Sequence, residues 1–559
     1  RPRSLDGSPE GRLFSHALMA DLGPRNPELQ STRTESKSGQ SKGRLPCRSS
    51  SLSSDFADRD QPQQEADASA REARNACAGR WVMLVLYGAL AIVDHINWIS
   101  FWPITKRGQH FFGVSPMAVF MLSMLYVIVF ILVAPTSGQL VDRRGLRFGV
   151  LAGAFLNFFG SLIKVVPAPF QMNGTVGYIF TFFGHLVGGV AHSFVLILPP
   201  KLAQNWFPRS SRVTAQASCV GFNQLGVTIG IFLSPVISDS DDRIALLLLL
   251  QFIGSMLILI VELIFFKGQP AVPPSRSATQ LPREVLGRGV CPTIKEVFNV
   301  GALQRTIAAL FRIPGYGLTV LSFGVGVGGY YAMWVVLSLH DLMSNVEFLS
   351  TSALLIYNFV GVLGALTAGL LIDRSIMSHR FVALGAYGGF AASLLLFSLC
   401  LLSKNDSAVA MSCALMGIFG SALSPTTIDL LMEVTFPAPQ VIATAVAFVV
   451  GHLWGLIFIW GNIEMQHLQY YAPGLFLAVT AALAFPCFAT ADNQECRRRD
   501  YELRAAQGGI RGQLGSGVVE ILDHNFFVVA SENNGQDDEN LPSSLSRYSR
   551  SIEANGQQA

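Results

Sequence analysis

The sequence predicts an all-α membrane protein, with twelve transmembrane helices arranged as two pseudo-symmetric six-helix bundles. Three observations carry that reading. Half of the 559 residues are hydrophobic and only 14% are charged, with 39 Phe and 52 Gly. This is too apolar for a soluble domain, and it suits helices that pack on small residues in lipid. Twelve apolar runs reach the roughly 20-residue length that crosses a bilayer. A basic segment also recurs half a chain apart, each time directly behind an apolar run. It reads Gly138-Gln139-Leu140-Val141-Asp142-Arg143-Arg144-Gly145-Leu146-Arg147 and, shortened, Gly369-Leu370-Leu371-Ile372-Asp373-Arg374. In each copy the glycine is expected to let neighbouring helices approach closely, and the aspartate to cap the helix that follows.

Residues 1–79 are rich in Ser, Arg, Gln and Asp and are expected to form a disordered cytoplasmic tail. They show no signal-peptide pattern, and the opening Arg1 in place of Met suggests a start further upstream. The N-terminal bundle is placed at 80–267, with spans at 81–104, 115–140, 147–167, 175–199, 212–237 and 243–267. A Pro- and Arg-containing linker, 268–304, is followed by a short run, 305–313, suited to the membrane interface. The C-terminal bundle fills 305–492, with spans at 314–340, 347–372, 381–403, 408–432, 440–463 and 469–491. Residues 493–559 are polar again, a second disordered cytoplasmic tail.

Basic residues set the expected orientation. With the N-terminus inside, internal loops hold Arg143, Arg144, Arg147, Lys201, Arg209, Arg212, Arg276, Arg283, Arg288, Lys295, Arg374 and Arg380, with Arg497, Arg498 and Arg499 behind the last span. External loops hold only Lys106, Arg107, Arg243 and Lys404, with Lys164 near an outer helix end. Glycosylation sequons at Asn173 and Asn405 fall in loops this assigns to the outside. Both termini are therefore expected in the cytoplasm, with plasma and organelle membranes equally open. The eight cysteines show no C-x-x-C pair, which argues against zinc and redox motifs.

If the halves are related by a pseudo-twofold axis, functional residues should sit at matching depths. Trp98 follows Arg80 by 18 residues in the first span, and Tyr331 follows Ile313 by 18 in the seventh. Both aromatics then lie about 27 Å along their helices. Gln224 follows Arg212 by 12 in the fifth span, and His452 follows Gln440 by 12 in the eleventh, about 18 Å in. Two aromatics above two hydrogen-bonding side chains make a substrate site for a cation with a polar end. The alternative is an interfacial aromatic belt with ordinary interhelical hydrogen bonds.

Ionisable residues within spans are costly and so informative. Asp94, His192 and Asp429 are candidates for substrate or proton binding, and Glu433, four residues after Asp429, for anchoring loop arginines. The histidines show no metal spacing, and neither a metal nor a cofactor is expected. The run Gly324–Gly329 lies inside a span, where close packing or a bend explains it better than a nucleotide loop. No nucleophile–base arrangement suggests an enzyme, and no nucleic-acid module is present.

The duplicated Asp-Arg segment resembles the loop signature of the major facilitator superfamily. Further stretches resemble its feline leukaemia virus subgroup C receptor-related transporters, solute carrier family 49. They are Asn97–Phe101, Asp142–Arg147, Leu156–Lys164, Leu198–Phe207, Asn223–Gly226 and Met432–Pro437, and the similarity covers roughly 80–490. The resemblance implies choline or ethanolamine transport, with haem or another metabolite as the alternative cargo; a non-transporting receptor or scaffold is the alternative of another class. It implies that Trp98, Tyr331 and Gln224 enclose the substrate, whereas His452 and His192 stand where the family has Gln. It gives gating roles to Gly138, Asp142, Arg143, Gly145, Arg147, Gly369, Asp373 and Arg374. The partners implied are a small-molecule substrate and the lipid bilayer, the protein acting as a monomer.

Overall fold

The computed structural model describes residues 79–167, 174–240, 243–271, 273–274, 300–339, 347–403, 405–466, 471–490 and 498. Twelve helices in it are long and apolar enough to span a membrane. We number them α1 (Gly79–Ile99), α2 (Pro116–Arg144), α3 (Leu146–Val165), α4 (Thr175–Val195), α5 (Arg212–Ile237), α6 (Ile244–Phe265), α7 (Tyr316–Leu339), α8 (Glu347–Asp373), α9 (His379–Ser403), α10 (Asp406–Thr435), α11 (Gln440–Gln466) and α12 (Ala472–Thr490). The face at which α1 begins and α12 ends is called the terminal face here, and the opposite one the distal face.

In the first half α3 packs on α4 and α6, and α2 on α4. In the second, α8 and α9 pack on α10, α7 on α11, and both α7 and α9 on α12. The halves meet through two equivalent helix pairs, α2 with α11 and α5 with α8. Burial sorts the helices by position. The most apolar window of α7 is 89% buried and that of α6 only 28%. Helix α6 accordingly shows Leu246, Leu249, Leu250, Ile253, Leu257 and Ile260 outward at helical spacing, as a lipid-facing stripe requires. Helix α7 is central, and its glycines explain how. A Cβ at Gly324 would stand 2.6 Å from Val450 and one at Gly328 2.7 Å from Trp454, so this face of α7 lies directly on α11.

Several helices differ from expectation at their ends. The basic segment read as a loop is mostly helix, because α2 runs on through Arg144 and α8 through Asp373. Their polar last turns find partners at the terminal face and so need not leave the helix. The chain turns only at Gly145, whose φ of 92° a side chain would oppose, and at Ser375, φ 55°. The fourth span breaks after Val195, and Pro199 starts a separate buried helix, Pro199–Trp206, since proline fits a first turn but not an interior. The interfacial run also begins earlier than 305, as the helix Val300–Phe311. Most of the linker and tails, and the Asn173 sequon, lie outside the described residues. Asn405 is the N-cap of α10, its Oδ1 accepting from the amides of Ser407 and Ala408 at 3.1 and 3.2 Å.

Candidate substrate cavity and terminal-face gate

The four residues singled out by matched depth line one cavity. Trp98 of α1, Gln224 of α5, Tyr331 of α7 and His452 of α11 share it with His192 of α4, and all four helices that the depth argument used contribute. The Trp98 indole N–H donates to the Ser123 carbonyl at 2.9 Å, which locks the ring's orientation. Its ring lies 5.6 Å from His192 and 5.3 Å from Trp334, and Trp334 lies 5.6 Å from Tyr331. Tyr331 in turn is 5.1 Å from His452. The result is an aromatic layer drawn from both halves. A second cavity on its distal side shares Trp98, Tyr331, Trp334 and His452 and continues to Trp102 and Ile459.

The cavity shared by Trp98, Gln224, Tyr331 and His452 has a volume of about 50 Å³. At about 10–15 Å³ per water on the same measure, that is room for three to five waters, or roughly 90–150 Å³ of liquid. A molecule of half a dozen heavy atoms fits this space and a tetrapyrrole does not. Its polar groups are few. Gln224 Oε1 and Asn223 Oδ1 have no hydrogen-bond partner among the described residues. His452 Nδ1–H donates to the Phe448 carbonyl at 2.7 Å, which leaves Nε2 as the acceptor of the neutral ring.

Asp94 lies behind this lining rather than in it, fully buried. Its Oδ1 accepts from Asn157 at 2.9 Å and its Oδ2 from His192 Nδ1 at 2.6 Å. Asn157 is held by Asn97, whose amide also reaches Ser255. His95 stands 3.6 Å from Asp94, so three candidate ligand atoms come within 4.8 Å of one another. The sequence did not show this cluster, because His192 arrives from another helix. It does not fit a metal. His95 Nδ1 is committed to the Ala91 carbonyl at 2.8 Å, and the carboxylate–imidazole contact is hydrogen-bond length, shorter than two ligands of one ion approach.

On the terminal face the two aspartates act reciprocally. Asp142, at the end of α2, does not cap the helix that follows it. It accepts from the first amides of α11, Val441 at 3.2 Å and Ile442 at 2.9 Å. Asp373, at the end of α8, accepts from those of α5, Val213 at 3.1 Å and Thr214 at 2.6 Å. One turn earlier each helix has its glycine, and a Cβ at Gly138 would stand 3.0 Å from the Ile442 Cα, one at Gly369 2.9 Å from the Thr214 Cα. The helix ends sit so close that only glycine leaves room for the cap. Lys201 adds a cation 3.6 Å from Asp142. Arg147 donates to the Leu263 carbonyl, Arg143 is half-buried, and Arg374 is exposed.

Residues 78–459 match the family model described as Major Facilitator Superfamily. The chain belongs to the Major Facilitator Superfamily. Its relatives include Solute carrier family 49 member A3 of Xenopus tropicalis, 28% identical over 68% of this chain and 76% of that protein. The human Choline/ethanolamine transporter FLVCR2 is 26% identical over 74% of this chain and 77% of that one. Among solved structures the E. coli fucose:proton symporter FucP matches with a TM-score of 0.57, covering 74% of this chain and 98% of its own at 14% identity, which shows the fold. This facilitator is thus an integral, multi-pass membrane transporter rather than an enzyme, and resembles solute carrier family 49.

One candidate of the facilitator stands apart from the cavity. Asp429 lies toward the terminal end of α10, 2.8 Å from His379 and 2.8 Å from Arg498. Glu433 pairs with the same guanidinium, which comes from beyond α12. Arg498, expected in a disordered tail, is buried here. Burial alone would lower its pKa, but Glu433 and Asp429 outweigh that and raise it above the ordinary guanidinium range. Sequence reading also missed Trp334 and Lys201. Trp334 was findable, three residues after Tyr331 on one helix face.

Proposed function

We propose that this facilitator carries choline or a closely related small amine by alternating access, as a monomer, with the terminal face cytoplasmic. The observation that supports this best is the convergence of Trp98, Tyr331, Trp334, Gln224 and His452 on one small cavity between the halves. Ring faces attract a quaternary ammonium by roughly 0.5–2 kcal/mol each, more when water is excluded. The unpartnered Gln224 oxygen suits a hydroxyl at the other end. The names of the relatives agree with a choline or ethanolamine cargo. The reciprocal caps then form the gate that opens toward the cytoplasm. Haem is disfavoured by the cavity's volume, and a passive receptor gives no reason for a cavity joining two halves.

Uptake of labelled choline, ethanolamine and haem into cells carrying the chain is the direct test. Saturable choline uptake, competed by ethanolamine and unaffected by haem, is the expected result. Haem uptake without choline uptake would overturn the reading.

A further inference from the structure

Among the described residues the Asp94–His192 pair has no fixed cation in contact with it. Asp94 Oδ1 accepts from an Asn157 amide whose own oxygen is taken by Asn97, and Oδ2 meets His192 Nδ1. Among the described residues no Lys or Arg pairs with Asp94. The titratable groups around the pair are Tyr87 and His95 on α1, Tyr126 on α2 and His452 on α11; behind them Tyr87 faces Cys219 on α5, and Tyr126 faces His185 on α4, which in turn faces Lys164 on α3. Most are committed elsewhere. Tyr87 donates to the Val195 carbonyl at 3.0 Å, His95 to Ala91 at 2.8 Å, Lys164 to Gln251 at 2.8 Å and His452 to Phe448 at 2.7 Å. The Tyr126 ring lies edge-on 5.8 Å from His192, and Cys219 is buried and free.

An ionised Asp94 beside a neutral His192 therefore has no cation in contact with it, the buried Lys164 ammonium being bonded to Gln251 instead. Within a bilayer that costs several kcal/mol. Two events relieve it. A proton on His192 makes the pair a neutral ion pair, or an organic cation enters the cavity on the other side of the same imidazole, which lines it. Both together leave a surplus positive charge against the aromatic layer.

We propose that a proton on His192 and an organic cation in the cavity exclude one another, so that the carrier exchanges one for the other across the membrane. This rests on the reading that the cavity takes a cation. When the cation arrives, the proton leaves Nε2 for cavity water, while Nδ1–H stays on Asp94. No co-reactant is needed.

The test uses the purified full chain in weakly buffered detergent, titrated with choline while tryptophan fluorescence reads binding and a pH dye reads protons. Tetramethylammonium is run in parallel. At acid pH, binding should release close to one proton. Apparent affinity should rise with pH, by up to about tenfold per unit for one proton displaced, and then level off. His192→Gln keeps a donor toward Asp94 but has no proton to lose, so its affinity, whatever its size, should not vary with pH, whereas His452→Gln should keep the slope. Choline binding to the wild type without proton release, at an affinity that does not vary with pH, overturns the exchange and leaves the choline reading intact. Proton release with tetramethylammonium alone retires choline and keeps the exchange. Binding of neither probe overturns both.

Discussion

Trp98 is held by a hydrogen bond at its edge, so its ring face is free to do the binding. Trp98→Ala removes the face and the volume together, whereas Trp98→Phe keeps a face without the indole's anchor to Ser123. At about 2 kcal/mol for a desolvated ring, uptake of choline at low concentration should fall about thirtyfold in the alanine variant and only a few-fold in the phenylalanine variant. Uptake kinetics at matched surface expression check this, and equal loss in both variants would remove the cage. At Asp142 the expected effect is of another kind. Asp142→Ala deletes a helix cap worth about 0.5–2 kcal/mol and strands Lys201, so the closed terminal face should lose roughly two- to thirtyfold in population. A cysteine introduced in the cavity should then react faster from the terminal side, transport should slow, and thermal stability should stay close to wild type. Some of this was legible in the sequence and some was not. Matched spacing from two helix starts brought out Trp98, Tyr331, Gln224 and His452, because depth along a helix depends only on residue count. The pairing of Asp94 with His192 depends on how α1 rotates against α4, and no count along either helix contains that.

The helices were read to within a few residues where hydropathy changes sharply, and misread where polar residues stay helical. α2 and α8 are the instructive cases. Their last turns carry Asp and Arg and looked like loop, yet they remain helical because their polar atoms meet the first amides of a helix from the other half. The tight fit at Gly369 has a measurable consequence. Gly369→Val places methyl groups where the Thr214 backbone already stands, so α5 and α8 must part at the terminal face. Gly385, on α9, has open space around its Cβ position and serves as the control. Gly369→Val should abolish most uptake and raise terminal-side accessibility of the cavity, whereas Gly385→Val should leave both within twofold. Equal behaviour of the two variants would mean that the close approach does not matter to the cycle.

Seen across both halves, the described helices enclose a small cavity with inter-half contacts above and below it. Below are the two caps, and on the distal side Trp98 meets Trp334 across the interface. Transport requires that these contacts be made alternately. The tests of orientation and cargo are separable at this level. An epitope after residue 498, detected only once cells are permeabilised, would place the terminal face inside, and detection on intact cells would reverse the assignment without altering the cavity.

The reciprocal caps carry one more consequence. A contact in which a residue of one half meets a partner in the other, and its counterpart meets the equivalent partner in return, is the pattern of an isologous dimer interface. Here it lies within a single chain, so the linker supplies proximity but not the docking information. Each half alone would show a bare helix start at the terminal face and a carboxylate with nothing to cap. Two polypeptides split between residues 275 and 299 and expressed together should therefore find each other and restore transport. A single Asp373→Lys change in the second polypeptide should prevent that reunion.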